Sequence, residues 1–442
     1  MSHPPDPGLY HSGVPRAIVV SIDGLAAFYW DDPRLRIPTL RALAERGVVA
    51  RGMETVFPST TWPTHVSLVT GVTPRRHGVV GNSILNRAKL RREDLTGDPV
   101  YDAAEIVKTP AIYDRAAAAG LTTAAIDWPA TRNNTSLRFN LPFFKDQKVF
   151  ETRTARAVWE ELRSLGYPLD RQGEWAQLPK RFLKDHMVAD VALHVLRRYE
   201  PDLTLVHFLC TDSFQHLYGP RSAEAYWAIE YVDALLGRLL GALPPGELDD
   251  RTALFVVSDH GFLAVDHEIR INVVLRNLGL LRVSADGALD GEAYFVMNHG
   301  AGYVYGIGGD RARTLDELAS VLARLEGVSA VWTPPEYAAL GLPTPAENAL
   351  MGDLLLEAKP GYYFVDEAQG DEVIAAPHYR GTHGYLPGHS ENHAFFLAAG
   401  AGIARGKTLP TISSRRVAPT VAQLLGIEMP GVEDRRLDEA LT

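Results

Sequence analysis

The feature that most constrains this chain is a recurring one. Short runs of β-branched and other apolar residues alternate with helical periodicity, and several of the runs stop just before an aspartate. Ala17-Ile18-Val19-Val20-Ser21-Ile22 ends at Asp23-Gly24, a turn signal. Leu121 to Ile126 follows a predicted helix from Pro110 to Ala119 that Gly120 ends. Leu203 to Cys210 runs up to Asp212, Ala253 to Val257 up to Asp259, and Ala394 to Leu397 precedes the turn Gly400-Ala401-Gly402. Between them, Pro38 to Arg46 has helical spacing, and Ala223 to Leu243 sets Ile229, Val232, Leu236, Leu239 and Leu243 on one face. Near-continuous apolar strands separated by helices imply an α/β fold, with a mainly parallel central sheet flanked by helices on both faces.

In open sheets of this kind ligands bind beyond the carboxyl ends of the strands. Asp23, Asp212 and Asp259 each follow a predicted strand by one or two residues, so three carboxylates from distant positions can meet at that edge. Two stretches interrupt the alternation. Residues 136–182 are aromatic and charged without clean periodicity and read as a lid-like excursion. Residues 271–375 hold a strand at Tyr303 to Ile307, a helix from Thr314 to Leu325, a strand at Val328 to Trp332 and a Pro-rich connection. They read as a smaller α+β insertion, a cap on a core formed by 13–270 and 376–442.

Composition narrows the chemistry. The 442 residues carry 44 Lys and Arg against 54 Asp and Glu, a net charge of −10 with the acids dispersed. No clustered basic surface exists to replace counterions on phosphates, so an extended nucleic-acid surface is excluded. The single cysteine, Cys210, rules out a disulfide framework and Cys-rich metal sites, and its expected role is to fill core space at a strand end. Any metal must be held by the fifteen histidines and the carboxylates. The first sixteen residues lack the apolar run of a secretory signal, and no apolar stretch reaches membrane-spanning length. A cytoplasmic protein is the default expectation, secreted or periplasmic if a leader has been trimmed. No sequence feature specifies an oligomeric state.

Four segments carry candidate chemistry. In Phe57-Pro58-Ser59-Thr60-Thr61-Trp62-Pro63-Thr64-His65, Pro63 suits the first turn of a helix reaching about Thr70. A hydroxyl just before that helix would lie at the positive end of its dipole, where anions bind. Read alone, Thr61 or Thr60 is equally a plain N-cap. Asp212 and His216 stand four apart, a bidentate metal spacing if the turn is helical and otherwise a surface pair. Ser258-Asp259-His260-Gly261 puts adjacent ligand types at a strand end. His383 lies between Gly381-Thr382 and Gly384-Tyr385, with His389 and His393 as rival ligands; His65, His77, His207 and His299 read best as structural or surface residues.

Together these segments match one pattern in order and spacing. The chain resembles the type I phosphodiesterase/nucleotide pyrophosphatase family of the alkaline phosphatase superfamily. The resemblance rests on Ser21-Ile22-Asp23-Gly24, the Phe57 to His65 segment, Pro74-Arg75-Arg76-His77-Gly78-Val79-Val80-Gly81-Asn82 and Ile126-Asp127-Trp128-Pro129. It continues through Asp212 to Pro220, Ser258 to Gly261, Gly381 to Tyr385 and Val417 to Gly426. It implies an alkaline-phosphatase-like core and two zinc ions, with Mn2+ or another divalent ion as a substitute. One ion would be bound by Asp212, His216 and His383, the other by Asp23, Thr61, Asp259 and His260. Thr61 matches the family's nucleophile and Asn82 the residue that holds a phosphoryl oxygen. The implied reaction is hydrolysis of phosphodiester or pyrophosphate bonds in a small phosphorylated substrate such as a nucleotide, through a phospho-threonine intermediate. Two cations about 3.5–4 Å apart suit such an in-line displacement.

Gln215 and Thr64 depart from the family pattern without removing a ligand. Leu209-Cys210-Thr211-Asp212 is not the setting a sulfatase needs. Arg132, after Trp128-Pro129, keeps a phosphomonoesterase or phosphonate hydrolase open as an alternative, because a dianionic phosphoryl group calls for extra cations. Trp62 is a candidate to stack on a substrate group, or else a buried anchor of its helix. A catalytically inactive binding protein on the same fold is the alternative of a different class.

Overall fold

The computed structural model describes residues 15–95, 101–284, 289–307 and 311–442. The N-terminal stretch read above for a leader, residues 1–14, lies outside them. Strand Arg16–Ile22 sits near the centre of an eight-stranded sheet, between Leu203–Phe208 and Thr252–Val257, and is parallel to both. Beyond Leu203–Phe208 come Thr123–Ile126 and Phe139–Leu141, also parallel. On the other side Phe396–Gly400 pairs antiparallel with both Thr252–Val257 and Gly47–Ala50, and Lys407–Leu409 closes that edge.

Both faces of the sheet are buried, which is why its strands read as continuous apolar runs. Ile18, Val20 and Ile22 belong to one core cluster, under helices Arg181–Arg198 and Ala223–Leu240. Ala17 and Val19 belong to the opposite one, with Val417 and Val421 of helix Val417–Leu424. A mixed, mainly parallel α/β sheet flanked by helices is thus the observed architecture, as expected.

Several expectations need correction. The run Leu203 to Cys210 is a strand only to Phe208; Cys210 opens the helix Cys210–Tyr218 and is buried there, not at a strand end. Asp212 therefore lies in a helical first turn, four residues past the strand. The strand read as starting at Ala394 begins at Phe396, two residues later. Residues 136–182 are largely helical despite their lack of periodicity. They hold helices Gln147–Arg153 and Arg156–Ser164 and shorter helical turns. Each helix buries only one or two apolar side chains, too few to leave a periodic signal.

Within 271–375, strands Ala293–Asn298, Ala301–Gly306, Leu354–Ala358 and Val328–Trp332 form a second, antiparallel sheet in that order. Helix Arg311–Leu322 occupies the place read as Thr314 to Leu325. The sheet's apolar residues share one cluster with Phe57, Trp62, Val66, Val79 and Val80, so the insertion's core is continuous with the segment that carries Thr61.

Candidate active site

Helix Thr61–Thr70 starts at Thr61 itself, so the candidate nucleophile is the first helical residue, not the one before it. Thr60 is the N-cap, and its hydroxyl makes no capping bond. Gly71, at φ 71°, ends the helix by donating to Ser67 O. Asn82 fixes the approach to Thr61. Its Oδ1 accepts from Trp62 N at 2.8 Å, so its amide nitrogen faces the other way, 3.5 Å from Thr61 Oγ1.

The expected Asp and His ligands converge from four separate segments. His216 Nε2 is 3.1 Å from Asp212 Oδ1, and His383 Nε2 is 3.7 Å from the same oxygen. His260 Nε2 is 3.3 Å from Asp23 Oδ1 and 3.2 Å from Asp259 Oδ2. The His260 and His383 rings stack at 3.6 Å and join the two halves. His389 and His393 do not enter the cluster: His389 pairs with Glu357 at 3.2 Å, and His393 faces Glu54 at 3.9 Å.

Hydrogen bonds set the tautomers. In His216, His260 and His383 the Nδ1 atom faces a backbone carbonyl, of Gly381, Gly261 and Ser59 respectively, at 2.9–3.1 Å. A carbonyl only accepts, so each Nδ1 carries a proton, and each Nε2 is turned toward the carboxylates. This is the arrangement that prepares histidine as a metal ligand. Asp23 Oδ1, Asp212 Oδ1, Asp259 Oδ2 and His260 Nε2 are buried and make no hydrogen bond. A divalent cation fits this set of oxygen and imidazole nitrogen donors, and zinc suits it well.

The electrostatics agree. Burial, with Asp259 and Asp212 nearby, holds the Asp23 carboxyl well above the usual range, as crowding of buried acids does. Burial pushes Asp212 the same way, but His216 and Arg181 overcome it and hold that carboxyl well below the usual range. Below the cluster His207 Nε2 meets Asp23 Oδ2 at 3.1 Å, while His65 bridges Thr61 O and Ser21 Oγ at 2.8 and 2.9 Å. Burial drives the pKa of each of these histidines down to about 3. Their structural role matches the sequence reading.

A cavity of about 340 Å3 opens over the cluster, lined by Asp23, Thr61, Asn82, Asp212, His216 and His383. Arg92, Lys145, Arg181 and His299 also line it; no motif assigns a role to these cations, and His299 reads in the sequence as a structural or surface residue. Arg181 donates through Nη1 to Ser213 Oγ at 3.1 Å and lies 3.3 Å from Asp212 Oδ2. No motif marks these cations; the signal available for His299 was an Asn-His-Gly turn between two apolar runs. Two candidates lie elsewhere. Trp62 is 2% exposed in the second core cluster, where it anchors its helix, and is absent from the cavity wall. Arg132 is held by Asp102 at 2.7 Å and also stays out of the cavity.

Comparison with known proteins agrees with this geometry. The family model described as Type I phosphodiesterase / nucleotide pyrophosphatase matches residues 17–386. An uncharacterized pyrophosphatase/phosphodiesterase of Schizosaccharomyces pombe is 29% identical over 252 residues, 55% of this chain and 44% of that protein. Human ectonucleotide pyrophosphatase/phosphodiesterase family member 1 is 27% identical over 260 residues, 56% of this chain and 23% of that protein. The chain thus matches less than half the length of either relative. Among solved structures, inactive murine ectonucleotide pyrophosphatase/phosphodiesterase 5 in complex with AMP superposes with a TM-score of 0.72 at 19% identity, over 97% of this chain and 100% of that one. At that identity the likeness speaks for the fold.

Proposed function

The chain belongs to the type I phosphodiesterase/nucleotide pyrophosphatase family, and from that premise we propose that it hydrolyses phosphodiester or pyrophosphate bonds of small phosphorylated substrates such as nucleotides. Thr61 is the nucleophile in this reading. Asp212, His216 and His383 would hold one zinc ion, and Asp23, Thr61, Asp259 and His260 the other. The observation that carries the proposal is the set of buried donor atoms on Asp23, Asp212, Asp259 and His260, turned toward one another without hydrogen-bond partners beneath the cavity.

Bound there, the two ions would supply the Lewis acidity that lowers the pKa of the Thr61 hydroxyl and neutralises charge on the departing oxygen. The chain's own residues do the rest. Thr61 Oγ1, at the positive end of its helix, attacks phosphorus as the bond to the leaving oxygen breaks in line, giving phospho-threonine. Water then attacks phosphorus, the phosphorus–Oγ1 bond breaks, and Thr61 is restored. The Asn82 amide, turned toward Thr61, donates to a non-bridging oxygen as charge builds on it. The 271–375 insertion serves as a cap over the cleft.

Arg92, Lys145 and Arg181, paired in turn with Asp366, Asp94 and Asp212, favour a second reading. Three cations around one cavity suit a terminal phosphate or phosphonate dianion, which keeps monoester or phosphonate hydrolysis on the same site. An inactive binding protein would have no need for donors set out in this way. The test compares bis-p-nitrophenyl phosphate, a nucleotide diester, p-nitrophenyl phosphate and a phosphonate with wild-type protein and Thr61→Ala. Diester turnover that EDTA abolishes is expected, with Thr61→Ala inactive and still metal-loaded. A wild type that hydrolyses none of the four, or a fully active Thr61→Ala, overturns the proposal.

A further inference from the structure

We infer that His299, carried by the insertion, is a further protein ligand to the ion proposed at Asp212, His216 and His383. This rests on the metal-dependent reading above and adds to it. His299 and Gly300 form the two-residue turn between strands Ala293–Asn298 and Ala301–Gly306. His299 has φ 63°, a left-handed conformation that glycine or asparagine adopts far more readily than histidine. A residue kept at such a position by its surroundings is a pointer to function.

The surroundings leave it little freedom. Gly300 N donates to His383 O at 2.8 Å, and Phe364 N donates to His299 O at 2.8 Å. Asn298 Oδ1 accepts from Asn82 N and Ser83 N at 2.7 and 3.1 Å, and Asn298 Nδ2 donates to Ser83 O at 3.0 Å. A Cβ at Gly384 would come within 2.4 Å of Asn298 O, and one at Gly300 within 2.7 Å of the Tyr385 ring. The turn is therefore clamped between the segment of Asn82 and that of His383.

The clamp brings three imidazoles together. Ring centres lie 4.4 Å apart for His299 and His383, 5.1 Å for His216 and His299, and 5.2 Å for His216 and His383. Three imidazoles bound to one tetrahedral zinc, with Zn–N near 2.1 Å, have ring centres about 5 Å apart. One ligand nitrogen from each ring lies within 4.8 Å of the others. His299 Nδ1 is buried without a hydrogen-bond partner, a costly state for a ring that only packs. With Asp212 the set becomes one carboxylate and three neutral imidazoles, so a bound divalent ion would keep a net positive charge, link the insertion to the core and take up the departing oxygen as a fifth ligand.

Zinc titration of metal-stripped protein against a chromophoric chelator tests this, using His299→Asn because asparagine tolerates the turn. Wild type should take up two ions, and His299→Asn should lose at least about tenfold in affinity for one while the other is unchanged. The visible spectrum of the cobalt-substituted protein should change with it. Unchanged affinities and an unchanged cobalt spectrum in a folded variant overturn the inference. Wild-type protein labelled with 15N-histidine gives an answer without any variant. Four imidazoles shifting to metal-bound positions on zinc addition are expected, and three would refute the fourth ligand. If only the His299 result fails while EDTA-sensitive hydrolysis persists, the proposed function stands; if wild type takes up no metal, both fall.

Discussion

Asn82 has its orientation decided by one backbone contact. Because Oδ1 is occupied by Trp62 N, the amide can present only its donor face toward Thr61. Asn82→Ala should lower kcat about 10²–10³-fold, as loss of one transition-state donor does, while zinc content stays at the wild-type level. Steady-state kinetics on bis-p-nitrophenyl phosphate would read this, and an unaltered kcat would remove Asn82 from the reaction. Residues such as Asp23, Asp212, His216, Asp259, His260 and His383 were legible because each falls in a short local pattern whose order along the chain is itself a signature. Arg181 was not, since it opens a helix with no motif around it and acquires meaning only from Asp212, 31 positions away. Trp62 and Arg132 were left open for a related reason. Proximity in sequence to Thr61 and Trp128 gave no information on which way either side chain turns.

The helix Cys210–Tyr218 supplies two expected ligands, and its start is fastened from another helix. Asp185, on Arg181–Arg198, accepts from the backbone N–H groups of Leu209 and Cys210 at 2.9 and 2.8 Å, and its burial raises its pKa to about 6. Asp185→Ala would leave two buried donors unsatisfied, so a loss of about 1–3 kcal/mol in stability is expected, with weaker zinc binding at the Asp212 and His216 half. Urea unfolding and zinc titration check the two parts; a variant as stable as wild type would show that water or a neighbour satisfies these groups. Buried strands were legible as elements because burial on both faces removes polar residues from them. Direction was not: Phe396–Gly400 is as apolar as its neighbours, yet runs antiparallel to both. The short helices after residue 146 hid because Phe150, or Val158 with Leu162, is all that each buries.

Across the molecule, a net charge of −10 coexists with a cavity that gathers Arg92, Lys145 and Arg181, so overall acidity says nothing about the charge the site receives. Acid stability is a property of the same scale. His65, His77 and His207 are buried and neutral, with pKa values pushed by desolvation from 6.5 to about 3. Between those values the unfolded chain binds more protons than the folded one, so their contribution is full above pH 6.5 and falls as the pH drops toward 3. Asp185, held up at about 6, and Asp23 act in the opposite sense over the same range. With three rings against these carboxyls, the urea midpoint of the metal-free protein should decline from pH 7 to pH 5; a constant or rising midpoint would mean that the carboxyls offset the rings. The sheet order carries a consequence for how the molecule is made. Strand Arg16–Ile22 is translated before both of its sheet neighbours, which begin at Leu203 and Thr252. During synthesis an apolar strand thus waits unpaired for nearly two hundred residues, and no partial chain can assemble a centre that needs both Asp23 and His383. Folding dominated by such distant pairings is slow, and until the middle of the sequence has emerged the edges of that strand stay open to wrong partners.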